Sequence, residues 1–304
     1  MVRLVRAPNP SLMTLTGTNS YLLDCGNGEA ICIDPGPAIP QHVDALLNAA
    51  REHNLTIALI CVTHGHPDHA PGAQLLTSKT NAPVAAHPHA QFPHSRTLND
   101  SELIEVGEAR LRCIDAPGHT FDHLVFYEER ERALFTGDVV LGEGTVVIAP
   151  PSGAMRPYQA TLERLARECA NAARIYGGHG EMIADPAAKL REYIAHRKLR
   201  EQQLLLALSQ RPRTIPELVK AIYAGTNLVL WPAAARQILA YLIALEDEGR
   251  VRSSASAQPI SSADRAMLNP DWAAIVGAES AAVAQAELGG TLELQELRTY
   301  ETTA

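Results

Sequence analysis

The run Thr63-His64-Gly65-His66-Pro67-Asp68-His69 packs three imidazoles and a carboxylate into seven positions, a donor density suited to metal ions. Side chains two apart on an extended segment point the same way, so His64 and His66 can share one cation. Pro67 disfavours helix at His66 and keeps that segment extended. Asp68 and His69 then fall at a helix start, displaced to the other side, and Gly65 leaves room for close backbone approach. The spacing therefore serves two adjacent ions. Three further donors follow predicted strands: His119 after the turn Asp115-Ala-Pro-Gly, Asp138 after Phe135-Thr-Gly, and His179 inside Tyr176-Gly-Gly-His-Gly. Histidine is 12 of 304 residues, so a chance H-x-H-x-D-H is on the order of one in a thousand.

Two divalent ions about 3.5–4 Å apart can bridge a water, lower its pKa enough to give hydroxide at neutral pH, and polarise a carbonyl or phosphoryl oxygen. No serine or cysteine nucleophile is required. Asp68 can orient that hydroxide and pass its proton to the leaving group. Donors that are all imidazole or carboxylate suit Zn, Mn and Fe, with Zn the first choice. Asp34 is either a carboxylate behind a ligand histidine or a turn former before Pro35-Gly36. His87, His89 and His94 either line a substrate entrance or sit exposed on a loop, and His123 reads as a structural hydrogen-bonding residue. The bases Lys189, Arg191, Arg197, Lys198 and Arg200 crowd one predicted helix. They either meet a phosphate or form a solvated face with interdomain ion pairs.

The elements that must position these groups alternate in the first half of the chain. Strands are predicted at Arg3–Val5, Ser20–Asp24, Ala30–Ile33, Ile57–Val62, Val84–Ala86, Leu111–Ile114, Leu124–Tyr127, Ala133–Phe135 and Arg174–Tyr176. Helices are expected at Gln41–Glu52, Pro157–Ala170 and Asp185–Ala207. Ala86–Asp100 reads as a long surface loop. Beyond Leu204 the pattern is helix upon helix. Thr214 with Glu217 gives a capping box, Pro232–Glu248 is amphipathic, and Gly249–Arg252 suggests a wing strand, so a small winged helix is expected. Arg236 followed by Glu246, Asp247 and Glu248 makes a poor groove reader; the module is expected to roof the active site or to make a dimer contact.

The bulk numbers set limits. At 304 residues one large domain plus a smaller one is expected. No apolar run is seen to approach the roughly 18 residues that span a bilayer, and residues 1–6 lack a secretory h-region; a cytoplasmic location is the expectation. Cys25, Cys32, Cys61, Cys113 and Cys169 lie in apolar stretches and read as reduced core residues. Of the net charge of −8, −5 falls from Ser253 onward. Neither part has the basic footprint of a nucleic-acid binder.

The metal-donor run matches the signature of the metallo-β-lactamase superfamily, with a glyoxalase II-like ligand set. Gly17-Thr-Asn-Ser-Tyr-Leu-Leu23, Pro117-Gly-His-Thr120, Gly142-Glu-Gly-Thr145 and His196-Arg197…Arg200-Glu-Gln-Gln203 further resemble the branch called β-lactamase-like protein 2. The resemblance implies an α+β chain: an αββα sandwich over residues 1–200, then a winged helix over 201–255. An acidic, Ala-rich tail, 256–304, lies outside it. It also implies that His64, His66 and His119 hold the first metal, Asp68, His69 and His179 the second, and that Asp138 bridges. With no cysteine ligand, the set departs from many lactam-hydrolysing members. The function expected is hydrolysis of a small ester or thioester metabolite; the alternatives are a single-strand endoribonuclease and a non-catalytic winged-helix regulator with a structural metal.

Overall fold

Alternation along the strands decides the layering, because successive side chains face opposite sides of a sheet. Tyr21, Leu23, Ile31, Ile33, Leu59 and Cys61 point inward to a core shared with Leu111, Cys113, Leu124, Phe126 and Phe135. Their neighbours Leu22, Ala30, Cys32, Ile60 and Val62 point outward to a second core. In the computed structural model, which describes residues 1–257, 259–288, 291, 292 and 298–303, these faces belong to two stacked sheets.

The first sheet runs in the order β1 (Val2–Arg6), β2 (Asn19–Asp24), β3 (Glu29–Ile33), β4 (Thr56–Cys61), β5 (Val84–Ala86) and β6 (Arg96–Thr97). Its outer face is covered by α1 (Pro40–Glu52) and α2 (Gly72–Thr80), through Val43, Leu46, Ala73 and Leu76. The second sheet contains β7 (Leu103–Val106), β8 (Ala109–Asp115), β9 (Leu124–Glu128), β10 (Ala133–Gly137) and β11 (Arg174–Gly177), in the order β11-β10-β9-β8-β7. Against its outer face lie α3 (Met155–Glu168) and α4 (Pro186–Gln210), through Tyr158, Leu162, Leu165, Leu190 and Tyr193. This is the αββα sandwich. The sheets are tied at one edge by backbone bonds, Leu124 N to Thr63 O at 2.7 Å and Asn19 N to Gly178 O at 2.7 Å. The donor-bearing loops leave the sheets at that edge.

The winged helix consists of α5 (Ile215–Ile222), α6 (Trp231–Asp247) and β12 (Val251–Ala255). Thr214 caps α5: Glu217 Oε2 accepts from its backbone N–H at 2.8 Å, as the capping box requires. Ile215, Leu218, Ile238, Leu242 and Leu245 join the same core as α3 and α4. α4 passes without a break through residue 200.

Several expectations need correction. α2, whose start was placed at Asp68-His69, has no strong amphipathic period to mark its extent, and the edge strand β7 went unpredicted. The stretch from Ala86 to Asp100 is not wholly loop, since it contributes β6 and buries Leu98. The tail adds α7 (Ser262–Leu268), α8 (Trp272–Val276), α9 (Ala278–Glu287) and β13 (Arg298–Thr302). β13 pairs antiparallel with β12 and completes the wing; residues 258, 289, 290, 293–297 and 304 of that tail lie outside the described residues. Contrary to the hydropathy reading, Leu228–Asp247 is long and apolar enough to cross a membrane, but 72% of its 18-residue apolar window is buried inside the fold. Arg236, the one base weighed as a groove contact, is 2% exposed. Its guanidinium donates to the carbonyls of Leu268 and Leu288 and to Asn269 Oδ1, holding the tail segment against α6.

Tyr300 on β13 is buried in the core that joins α4 to the winged helix, and its backbone pairs with Arg213 at 2.8 and 2.9 Å. Truncating a buried aromatic costs on the order of 3 kcal/mol. Tyr300→Ala is therefore expected to lower the denaturant midpoint of the whole chain; an unchanged midpoint would show the tail strand to be an independent appendage.

Candidate metal centre

Each donor is aimed by the element that carries it. β4 ends at Cys61, and the extended residues that follow place the His64 and His66 rings 4.6 Å apart. Asp68 and His69 lie in the turn before α2, slightly ahead of the helix start expected for them. The turn is closed by His69 N and Ala70 N donating to His66 O at 3.0 and 3.1 Å. What approaches Gly65 is the Asp122 carboxylate rather than backbone: a Cβ there would meet Asp122 Oδ2 at 2.9 Å. His119 follows β8, Asp138 directly follows β10, and His179 lies just past β11. At Gly178 a Cβ would collide with Asp138 Oδ1 and His69 Cε1, so only glycine lets the β11 loop close over these donors.

All seven sequence-predicted donors are brought together and buried. His64, His66 and His119 form one group, His64, His69 and Asp138 another, and Asp68, His69 and His179 a third, each with its donor atoms within 4.8 Å of one another. Asp138 lies between, with Oδ1 3.5 Å from His69 Nε2 and Oδ2 3.4 Å from His179 Nε2 and 3.9 Å from His119 Nε2. His64 Nε2, Asp68 Oδ1, His69 Nε2 and Asp138 Oδ1 are buried with no hydrogen-bond partner. Buried polar atoms are almost always satisfied. Four such atoms within overlapping donor groups fit cations, and the donor chemistry suits divalent metals.

The outer nitrogens explain why the inner ones converge. His69 Nδ1 bonds Asp34 Oδ2 at 2.9 Å, His119 Nδ1 donates to Val147 O at 3.0 Å, and His179 Nδ1 donates to Gly17 O at 3.3 Å. Each bond fixes its ring so that Nε2 faces the centre. His64 Nδ1 reaches Thr63 Oγ1 at 3.0 Å, and that hydroxyl donates to Asp34 Oδ2 at 2.8 Å. Asp34 thus performs both roles the sequence allows. Its φ of +50° makes the turn, and its buried carboxylate braces two ligand rings. His123 stacks on His64 at 4.6 Å and accepts from Asp138 N at 3.2 Å, a structural role as expected.

Val147 is itself held. Arg197 Nη2 donates to Val146 O at 2.7 Å and Nη1 to Gln237 Oε1 at 3.0 Å, while Gln237 Oε1 also accepts from Ile148 N at 3.3 Å. The winged helix therefore clamps the segment that orients His119. Arg197 is 2% exposed, which corrects its place on a solvated face. His87 is buried too, 3.3 Å from Asp115, whereas His89 is exposed and His94 half-buried.

Sequence reasoning about the donors missed Thr18, whose hydroxyl donates to Asp68 Oδ2 at 2.8 Å. It also missed Asn19, which donates to Gly177 O and Gly180 O at 3.1 and 2.8 Å, and Tyr21, whose hydroxyl reaches Gly177 O at 2.7 Å. Their signal was the Gly17-Thr-Asn-Ser-Tyr motif, visible only as a resemblance.

A family model described as the metallo-beta-lactamase superfamily matches residues 13–179, and one for a beta-lactamase associated winged helix domain matches residues 214–258. The chain belongs to the metallo-β-lactamase superfamily. Among its relatives in that superfamily, a beta-lactamase-like protein 2 homolog of Drosophila melanogaster is 36% identical over 267 residues, covering 82% of this chain and 89% of the relative. A lactamase-like protein of Penicillium aethiopicum is 34% identical over 226 residues, 71% of each chain. The solved structure of a metallo-beta-lactamase family protein from Thermus thermophilus superposes with a TM-score of 0.70 at 25% identity, covering 83% of this chain and 95% of that one.

Without metal, the electrostatics divide the donors. Burial, reinforced by neighbouring histidines, pushes His64 well below the usual histidine range. Burial opposes charge on Asp68 and Asp138 as well, but His69 and His179 hold both carboxyls well below their ordinary value. In return, and again against burial, the two carboxylates raise His69 and lift His179 to about 10. These two protons stabilise the metal-free fold below the ordinary histidine pKa of about 6.5. That contribution fades as pH rises through the elevated values. Metal uptake between those limits must expel both protons. Titrating zinc calorimetrically at pH 8 in buffers of different ionisation enthalpy is expected to show their release, with affinity rising with pH; buffer-independent heats would contradict it. Asp34→Ala leaves two rings unbraced and is expected to weaken metal binding by roughly 10- to 100-fold, read by competition with a chromogenic chelator.

Proposed function

We propose that this protein is a binuclear metal-dependent hydrolase acting on a small ester or thioester. The observation that carries this reading is the clustering of the seven buried donors into overlapping groups, with His64 Nε2, Asp68 Oδ1, His69 Nε2 and Asp138 Oδ1 left without hydrogen-bond partners. His64, His66 and His119 would hold one ion, Asp68, His69 and His179 the other, with Asp138 between them. Zinc is the first choice, with manganese or iron also compatible with these donors. Two divalent ions so placed would supply an activated water at neutral pH and a Lewis acid for the scissile carbonyl.

The chain's own groups do the rest. Thr18 donates to Asp68 Oδ2, which lies 3.3 Å from His69 Nε2 and from His179 Nε2, while Oδ1 is buried without a partner; this carboxylate can accept a proton from the attacking water and return it to the leaving group. A cavity of about 270 Å³ opens on Asp138, walled by Met13, Leu141, Val147 and Leu230 among others. This mainly apolar wall and small volume favour a compact acyl group over an oligonucleotide. The five free, buried thiols support the proposed cytoplasmic setting. The near-total burial of α6 from Pro232 to Leu242 counts against a regulator that reads DNA through that helix.

The test is a panel of thioesters, esters, lactones and a fluorescent oligoribonucleotide, each run with metal-loaded and chelated protein. Thioester or ester turnover is expected, lost on chelation. Asp138→Ala is expected to lower kcat by about 10³-fold or more and to lower bound metal in elemental analysis. Turnover of the oligoribonucleotide alone, or unchanged metal stoichiometry in the variant, would overturn the assignment.

A further inference from the structure

The cavity beside Asp138 adjoins another across shared walls. Its walls Thr145, Val146, Val147, Leu230 and Ala233 also bound a second cavity of about 240 Å³, lying in the seam between α4 and the winged helix. The far side of this second chamber is polar, formed by His196, Arg200, Tyr223 and Thr226.

Arg200 differs from the other arginines of this seam. Arg156 and Arg250 are neutralised by Glu201 and Glu248. Arg197, whose Nε, like that of Arg200, is buried without a partner, has both terminal nitrogens committed to Gln237 and Val146 O, whereas Arg200 has one terminal nitrogen bonded. The Arg200 guanidinium carbon sits over Tyr223, 4.7 Å from the ring centroid. Arg200 gives one bond, from Nη1 to Gln203 Oε1 at 2.9 Å, and its Nε is buried with no partner. Among the described residues it forms no ion pair. A guanidinium held over an aromatic ring, with a buried donor unmet, is built for an oxyanion. Leaving such a donor unsatisfied costs stability that a ligand would restore.

We propose that the second chamber is the specificity subsite for an oxyanion at the end of the substrate remote from the scissile bond. The ligand class is an ester or thioester with an apolar body, filling the cavity beside Asp138, and a terminal carboxylate or phosphate that accepts from Arg200 Nε. Thr226 and His196, on the same walls, are the further polar contacts. The inference rests on the hydrolase reading for the word substrate, and on the cavity and the unpartnered guanidinium for the oxyanion.

Two measurements on metal-loaded protein separate these supports. The first compares hydrolysis of a 4-nitrophenyl hemiester of a medium-chain dicarboxylic acid, its ω-phosphate analogue and its ω-methyl ester. Wild type is expected to favour one or both anionic probes over the neutral one in kcat/KM by about tenfold or more. Arg200→Gln is expected to erase that preference through KM with kcat nearly unchanged, and Arg200→Lys to restore part of it. A carboxylate-only or phosphate-only preference identifies the terminal group. The second measures calorimetric binding of octyl sulfate, which has no acyl bond to cleave, against octanol. Wild type is expected to bind the sulfate more tightly, and Arg200→Gln to lose that difference at an unchanged thermal midpoint. Equal binding of octyl sulfate by wild type and Arg200→Gln would overturn the subsite. Arg200-dependent binding without turnover of any probe would remove the hydrolase reading alone.

Discussion

Two carboxylates in the interior of a protein must be neutralised, and this constraint organises the molecule. Asp68 and Asp138 are 0% and 3% exposed, and an uncompensated buried charge costs several kcal/mol. His69 and His179 share their charge in the metal-free fold, and divalent ions would meet it more completely. The surrounding layers keep these groups from drifting apart: two backbone bonds join the sheets at the donor-bearing edge, and Asp34 fixes rings from beneath. Removing water from this edge strengthens every electrostatic contact inside it.

The donors were legible because each sits where chain direction alone determines its orientation. His64 and His66 are two apart after a strand, and Asp138 directly ends one. The strands were legible through alternation, as at Tyr21 to Ile33, where inward and outward cores separate by parity. The extent of α2 was hidden because its amphipathic period is weak. The partners that aim the donors were hidden for a different reason. Val147 O, Gly17 O and Thr18 act through backbone or a single hydroxyl across long stretches of sequence, and no local pattern marks a carbonyl that will face an imidazole. The pairing of β13 with β12 was equally invisible, since about forty residues intervene and neither strand alternates cleanly.

The winged helix is continuous with the site rather than beside it. α4 carries Arg197, α6 carries Gln237, and both grip the segment whose carbonyl orients His119. A rotation of the module would thus reach a donor ring through three hydrogen bonds. The interior of α6 explains the module's place here. Its arginine, Arg236, fastens the tail segment, and its apolar length is spent on cores on either side.

All five sulfhydryl groups are buried, and burial raises Cys25 and Cys169 to about 11 and Cys113 to about 12. Thiolate is the reactive form, so the native molecule presents almost none to electrophiles or peroxides. One cysteine engineered onto the wing would consequently accept a fluorophore without background labelling, giving a direct optical handle on how that lobe moves against the sandwich.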